Sequence, residues 1–490
     1  MTDVGDQNRT PILDTLADYL AKDIYPFHTP GHKGGRFVPP ELTRLWGADV
    51  LAFDLPAMTA TDNTLHPTGC VLEAQQLAAE LFGAAETFYL GSGSTTAVAA
   101  MLLAAVPPGE TVLIPRNVHR SVASALVLSG ARPKFLPHEV LPECGALAVS
   151  VEAVAAALRE EPRPVAVLLT RPSYYGLASD LTPIAEACHA VGVPLIVDEA
   201  HGAHLAFLPP GGLRPALECG ADLVAQSSHK TLGSLVGSAQ LHVGHHSPVP
   251  AAQVRDALNL LQTTSPNYLQ LASLDAVRRH LWLHGAELFR GAVEEAERLA
   301  DEIDAVPGLR VLRPESVPKL AGHLRDPLRL VVNVVGTGWT GYEVERYLRM
   351  KHRVEDEMAD WFNIVLILSP HDDPQARERL IAGLRSVSEQ PREQPESAIA
   401  QAIHLLQPAI PPLIMTPREA ALGKKEIVMR STAVDRVCAE TITFYPPGIP
   451  LIMPGERITA ETLAVCDALL AGGAHCYASD PTLGTIRVAK

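Results

Sequence analysis

The sequence predicts an α/β protein whose main layer is a largely parallel sheet sandwiched by helices. Three observations carry that prediction. From about Leu51 onward, short apolar runs alternate with amphipathic stretches. Some runs, Val165–Thr170 and Val193–Val197 among them, are continuous rather than alternating, as strands buried on both faces require. Helical stretches stop at single glycines, Gly83, Gly130 and Gly192, the residue that tolerates the left-handed turn closing a helix. A βαβα rhythm of this kind places ligand chemistry in the loops at the carboxyl ends of the strands.

Taken in order, the first fifty residues are dense in turn formers, with Thr29-Pro30-Gly31-His32-Lys33-Gly34-Gly35 and then Pro39-Pro40. Val71–Phe82 reads as a helix and Thr87–Leu90 as a strand. A Gly/Ser loop follows, then an Ala-rich helix to about Val106. Thr111–Ile114 is a strand, Val118–Ser129 a helix and Pro133–Leu136 a strand. After Val165–Thr170 come the helix Ile184–Val191 and the strand Val193–Val197. Beyond about Gly291 a helix, the strand Leu328–Val335 and a strand at Ile364–Leu368 suit a smaller α/β domain. The polar stretch Glu389–Glu396 reads as a linker, and the C-terminal piece contains the Pro/Gly-dense run Tyr445–Pro450. The expected division is an N-terminal segment 1–50, a large domain 51–290, a small α/β domain 291–388, and a linker with a C-terminal domain over 389–490.

Length and composition narrow the function classes. At roughly 150 residues per domain, 490 residues allow about three. With 47% hydrophobic and 19% charged residues, wholesale disorder is excluded. A net charge of −15 argues against nucleic-acid binding, which needs a cationic face. No run approaches the 18 apolar residues of a membrane span. Met1–Tyr19 carries Asp3, Asp6, Arg9, Asp14 and Asp18, so no secretory core is read there. Seven scattered cysteines, none spaced as CxxC, support neither a disulfide framework nor structural zinc. The expectation is a reduced, cytoplasmic enzyme.

Four segments carry chemistry. Gly91-Ser92-Gly93-Ser94-Thr95-Thr96 joins a strand to a helix, where small residues, hydroxyls and helix N–H groups suit a phosphate; a plain N-capped turn is the alternative. Asp198, in Val197-Asp198-Glu199-Ala200-His201-Gly202, ends a strongly apolar strand, and a carboxylate there needs a partner such as a protonated heteroaromatic nitrogen. A helix cap, or a metal ligand with His201 and His204, would also explain it. Lys230, in Ser227-Ser228-His229-Lys230-Thr231-Leu232-Gly233, has the small uncharged neighbours that suit a Schiff base with an aldehyde cofactor, against the commoner solvated lysine. His119, in Arg116-Asn117-Val118-His119-Arg120-Ser121, could stack on an aromatic cofactor, or cap a helix. A phosphate cradle, a strand-end Asp, a stacking His and a Lys about thirty residues past the Asp together meet the needs of pyridoxal 5'-phosphate.

These segments, together with Phe27–Gly35, Met415-Thr416-Pro417-Arg418 and Tyr445–Pro450, resemble the fold-type-I, pyridoxal-phosphate-dependent ornithine/lysine/arginine decarboxylases. Within them the chain is most similar to the short bacterial arginine decarboxylases that lack an N-terminal wing domain. The resemblance runs over nearly the whole chain. It implies an aspartate aminotransferase-like fold, with Lys230 holding the cofactor covalently, Asp198 keeping the pyridine nitrogen protonated and His119 over the ring. It further implies Ser94, Thr95, Ser227 and His229 around the phosphate and His201 beside the ring. A homodimer or larger homo-oligomer is implied in the same way.

The implied reaction removes the α-carboxylate of a basic amino acid, most simply L-arginine to agmatine in polyamine synthesis; lysine, ornithine, or transamination or elimination are the alternatives. Loss of the carboxylate over other bonds at Cα is a matter of positioning. His119 or His201 could deliver the proton. The distal cation needs an acidic partner, for which Glu440 is the candidate; an exposed structural Glu is the alternative reading, and Asp62 and Glu357 are weaker candidates.

Overall fold

The computed structural model describes residues 5–22, 24–137, 139–141, 146–313, 324–392, 409–445 and 448–490. Part of the expected linker Glu389–Glu396, and Pro446 and Pro447 of the Tyr445–Pro450 run, lie outside them. The chain divides into two compact units. The first holds Met1–Ala105, Pro194–Phe207 and Arg214–Glu287, and the second Val106–Val193, Leu208–Leu213 and Leu288–Lys490.

In the first unit four strands lie in the order Glu86–Leu90, Ala239–Val243, Leu223–Gln226, Leu195–Asp198. Leu195–Asp198 and Leu223–Gln226 are parallel, with Asp198 opposite Ala225. Ala239–Val243 runs antiparallel to both its neighbours, the one reversed strand of these four in the largely parallel sheet expected. A parallel return usually runs through a crossover built around a full helix. The link from Gln226 to Ala239 is mostly turn, with only the short helix Ser228–Thr231 in it. The other three strands run the same way, so their carboxyl ends lie on one edge. The helix Gly93–Ala105 has Ala97–Leu102 buried, and its high Ala content lets it lie close to the strands it packs on. Pro11–Leu20 and Cys70–Phe82 bury Ile12, Leu16, Val71, Ala74 and Ala78 in one cluster with Tyr89 and Tyr268.

In the second unit Thr111–Ile114 pairs in parallel with Arg132–Phe135 and with Ala166–Thr170, so the parallel prediction holds there pair by pair. Arg120–Ser129 starts two residues later than expected and ends at Gly130, φ +74°. A four-stranded antiparallel sheet, Arg310–Val311, Arg329–Asn333, Asn363–Ile367 and Met358–Ala359, packs on Pro374–Ser388 around Leu330, Val332, Ile364 and Leu384. The last part of the chain has a separate core of Ile442, Phe444, Ile452, Cys466, Ile486 and Val488. Its strands are Lys425–Met429 with Thr485–Ala489, and Ile442–Tyr445 between Pro450–Ile452 and His475–Tyr477.

Candidate active site

Three strand ends of the first unit deliver the predicted residues to one edge. Leu90 leads through Gly91–Gly93 into the helix Gly93–Ala105. Gly93 sits at φ +77°, a conformation that side chains disfavour, and its N–H donates to Gly237 O at 2.7 Å. That turn points the helix N-terminus, with Ser94 in its first turn, at the end of the strand Leu223–Gln226. There Ser227 Oγ donates to Ser94 Oγ at 2.8 Å. Two hydroxyls and the N–H groups of a 13-residue helix suit a phosphate dianion. Thr95 is exposed in the same turn.

The turn after Gln226 is anchored from behind. Ser228, fully buried, accepts from Gln240 Nε2 at 2.9 Å. His229 Nδ1 donates to Ser238 O at 2.8 Å. Its Nε2 is therefore the acceptor in the neutral ring, and donates to a phosphate only as imidazolium. Lys230 lies one residue on, with Nζ 2.9 Å from His201 Nε2. One proton serves that contact, so the lysine can be held as ammonium or relieved of a proton by the imidazole.

Asp198 is 3% exposed at the end of its strand. Its Oδ1 accepts from Ala200 N at 3.2 Å. Burial pushes its carboxyl above the usual range, and the charge of Lys230 pulls it back only in part. A carboxylate so desolvated gains most from a cation facing it. The cap-like bond to Ala200 shows the bland reading to be partly true as well. Among the described residues no group of three or more His, Cys, Asp or Glu is arranged for a metal.

Sequence reasoning missed a buried chain behind these residues. Thr87 Oγ1 pairs with His242 Nδ1 at 2.8 Å, His242 Nε2 with Gln226 Oε1 at 3.1 Å, and Gln226 Nε2 donates to Glu199 Oε2 at 2.8 Å. Glu199 Oε1 accepts from Ala216 N. Burial holds His242 near a pKa of about 3, hence neutral, so the ring is one donor and one acceptor and the chain has a direction. One signal was available: Glu199 follows Asp198 at the end of an apolar strand, and two adjacent carboxylates there need partners.

His119 and Glu440 belong to the second unit. His119 is the N-cap of Arg120–Ser129, its Nδ1 accepting from Ser121 N at 3.2 Å and paired with Ser121 Oγ at 2.9 Å. The helix-cap alternative is thus realised. It also settles the tautomer: Nδ1 accepts, so the neutral ring carries its proton on Nε2. Glu440 accepts from Ser479 N at 2.6 Å, Ser479 Oγ at 2.9 Å and Arg487 N at 2.7 Å. Its carboxylate works within its own layer, as the structural alternative expects. Asp62 likewise accepts from Thr68, Gly69 and Val71 N–H groups at the start of Cys70–Phe82.

Against known proteins, residues 10–376 match the family profile described as Orn/Lys/Arg decarboxylase, major domain, and residues 400–474 that of its C-terminal domain. The chain is 37% identical over 486 residues to an arginine decarboxylase of Halalkalibacterium halodurans, covering 99% of this chain and 98% of that protein. The figures are the same for an arginine decarboxylase of Bacillus subtilis. Lysine decarboxylase A from Pseudomonas aeruginosa superposes with a TM-score of 0.83 at 22% identity, over 98% of this chain and 80% of that one, which shows the fold. The α/β fold-type-I arrangement with an added C-terminal domain, expected from the sequence, is the fold found.

Proposed function

Because the chain belongs to the Orn/Lys/Arg decarboxylase family, we propose that it is a carboxy-lyase converting L-arginine to agmatine and carbon dioxide, with pyridoxal 5'-phosphate attached through Lys230 Nζ. The choice of arginine rests on 37% identity to two arginine decarboxylases over nearly the whole of both chains. The site assignment rests on one observation, the desolvated Asp198 in the field of Lys230 at a strand edge that also carries Ser94 and Ser227.

The donor set fits the cofactor. Ser94, Thr95, Ser227 and His229 would hold the phosphate. Asp198 would keep a proton on the ring nitrogen, since burial makes an unpaired carboxylate there costly. His119, with its proton on Nε2, would lie over the ring. Pyridoxal phosphate supplies an acceptor for the electron pair left on Cα when the carboxylate departs. His201 takes a proton from the Lys230 ammonium to free the amine, and the Lys230–His201 pair returns one to Cα. Glu440 remains a proposal for the distal cation, against the three hydrogen bonds its carboxylate already accepts.

A homodimer or larger assembly is proposed with this reading, supported by the exposure of Phe27 (98%), Phe37 (82%) and Leu45 (71%) in the N-terminal segment. A cytoplasmic place in polyamine synthesis is proposed from the product. No helix among the described residues is long and apolar enough to cross a membrane.

The test is a substrate panel with products identified by mass. Agmatine and carbon dioxide are expected from arginine, with kcat/KM at least about tenfold above lysine and ornithine. Equal or faster turnover of lysine or ornithine moves the substrate, and release of a keto acid or ammonia without carbon dioxide overturns the class.

A further inference from the structure

The Tyr445–Pro450 run supplies no residue to the site proposed above, yet Gly448 within it meets His119 inside the second unit. Gly448 O accepts from Arg120 N at 3.0 Å, fixing the residue next to the imidazole. Gly448 is at φ +83°, and a Cβ built there would stand 3.2 Å from His119 Cδ2 and 3.3 Å from Nε2. A side chain at Gly448 would crowd the Cδ2–Nε2 edge of the imidazole, which would have to give by a few tenths of an ångström. A few residues on, Glu456, fully buried, takes Arg116 in a two-point pair, Nη1 to Oε1 at 3.0 Å and Nη2 to Oε2 at 3.1 Å. Arg116 Nη2 also donates to Leu451 O at 2.8 Å, and Met453 N donates to Glu456 Oε2 at 2.7 Å. The loop that carries His119 is thus held at Arg116 on one side and at Arg120 on the other, both times by residues 448–456.

We propose that residues 448–456 are a positioning clamp for His119, with Glu456 acting through Arg116 and Gly448 through its carbonyl and its missing side chain. The C-terminal domain would then serve the reaction by fixing one imidazole rather than by adding a reacting group. A planar, two-point Arg–carboxylate pair suits that task because it fixes orientation as well as distance. The inference rests on the proposed role of His119 only for its effect on turnover. The position of the ring can be read without it.

Two measurements on the full chain as purified test the clamp, in the parent and in Gly448→Ala and Glu456→Gln. The first is the rate at which diethyl pyrocarbonate modifies His119, followed by peptide mass. A change of about threefold or more is expected in both variants, with their melting temperatures showing a folded protein. The second is a double-mutant cycle with His119→Ala, reading kcat, KM and the cofactor dissociation constant. Each clamp variant is expected to lower kcat about tenfold in the parent with KM within about twofold, and less than twofold in the His119→Ala background. An unchanged modification rate in both variants, or equal losses in the two backgrounds, would overturn the clamp. A changed modification rate with no effect of His119→Ala on turnover or cofactor binding keeps the clamp and refutes the role proposed for His119. Should Gly448→Ala fail to fold, the nearly isosteric Glu456→Gln decides on the same criteria.

Discussion

Asp198 and Glu456 are both carboxylates taken almost wholly out of water, one at a strand end of the first unit and one in the C-terminal part of the second. Burial pushes both above the ordinary carboxyl range. Their surroundings differ. Glu456 has a guanidinium on both oxygens and a backbone N–H besides. Asp198 has a bond from Ala200 N and the field of Lys230. Burying a charge costs several kcal/mol unless partners repay it. Glu456 is repaid within the protein, and its role is to hold a loop. Asp198 has electrostatic capacity left for a bound cation. A third carboxylate, Asp356, has less to offset its burial: among the described residues neither oxygen has a hydrogen-bond partner from another residue, and the charge of Arg349 lowers its carboxyl only in part. Burial first, then the charges of Glu345 and Glu355, push it up to about 7.

That contrast can be broken at four places. Lys230→Ala should lower decarboxylation by about 10⁴-fold or more and abolish the visible absorption of the purified protein. A variant that keeps either removes the covalent attachment from the account. Asp198→Asn keeps the shape and deletes the charge; kcat should fall about 10²-fold, with weaker cofactor binding and no loss of melting temperature. A large fall in melting temperature would class Asp198 with Glu456 as a structural group.

Asp356→Asn sharpens the comparison from the stability side. Folding pushes the carboxyl up to about 7 from its ordinary value of 3.8 in the unfolded chain. Between those values the folded state binds more protons, so stability falls as pH rises, and the penalty is complete above about 7. Removing the charge should raise stability on the order of 1–2 kcal/mol at pH 8 and much less at pH 5, as thermal melts at the two values would reveal. An equal gain at both would mean that charge is not the cause. The smallest effect is expected for Glu440→Gln: a loss on the order of 1 kcal/mol from the Ser479 and Arg487 bonds, with KM for arginine within about twofold. A tenfold rise in KM at unchanged kcat would instead make Glu440 the partner of the distal cation.

Much of the fold was legible in short runs of residues. Continuous apolar stretches located Leu195–Asp198 and Ala166–Thr170 to within a residue or two, and glycines marked the ends of Cys70–Phe82 and Arg120–Ser129. The reversed strand Ala239–Val243 was not legible, because direction depends on how the link before it folds. In the candidate site, Ser94, Ser227 and Lys230 were visible as small or reactive residues beside strand ends. The Glu199–Gln226–His242–Thr87 chain was not, because its members are far apart in sequence.

By itself the sequence determined which residues stand at strand ends, since burial of a strand and the turn after it are properties of neighbours in the chain. It also determined the family, because the segments that carry the resemblance are spread over nearly the whole chain. Only the tertiary structure decided which carboxylates are spent and which are held ready. Arg116 and Glu456 are 340 residues apart, and a charge's worth depends on the solvent it loses and the partner it meets, neither of which is written in local pattern.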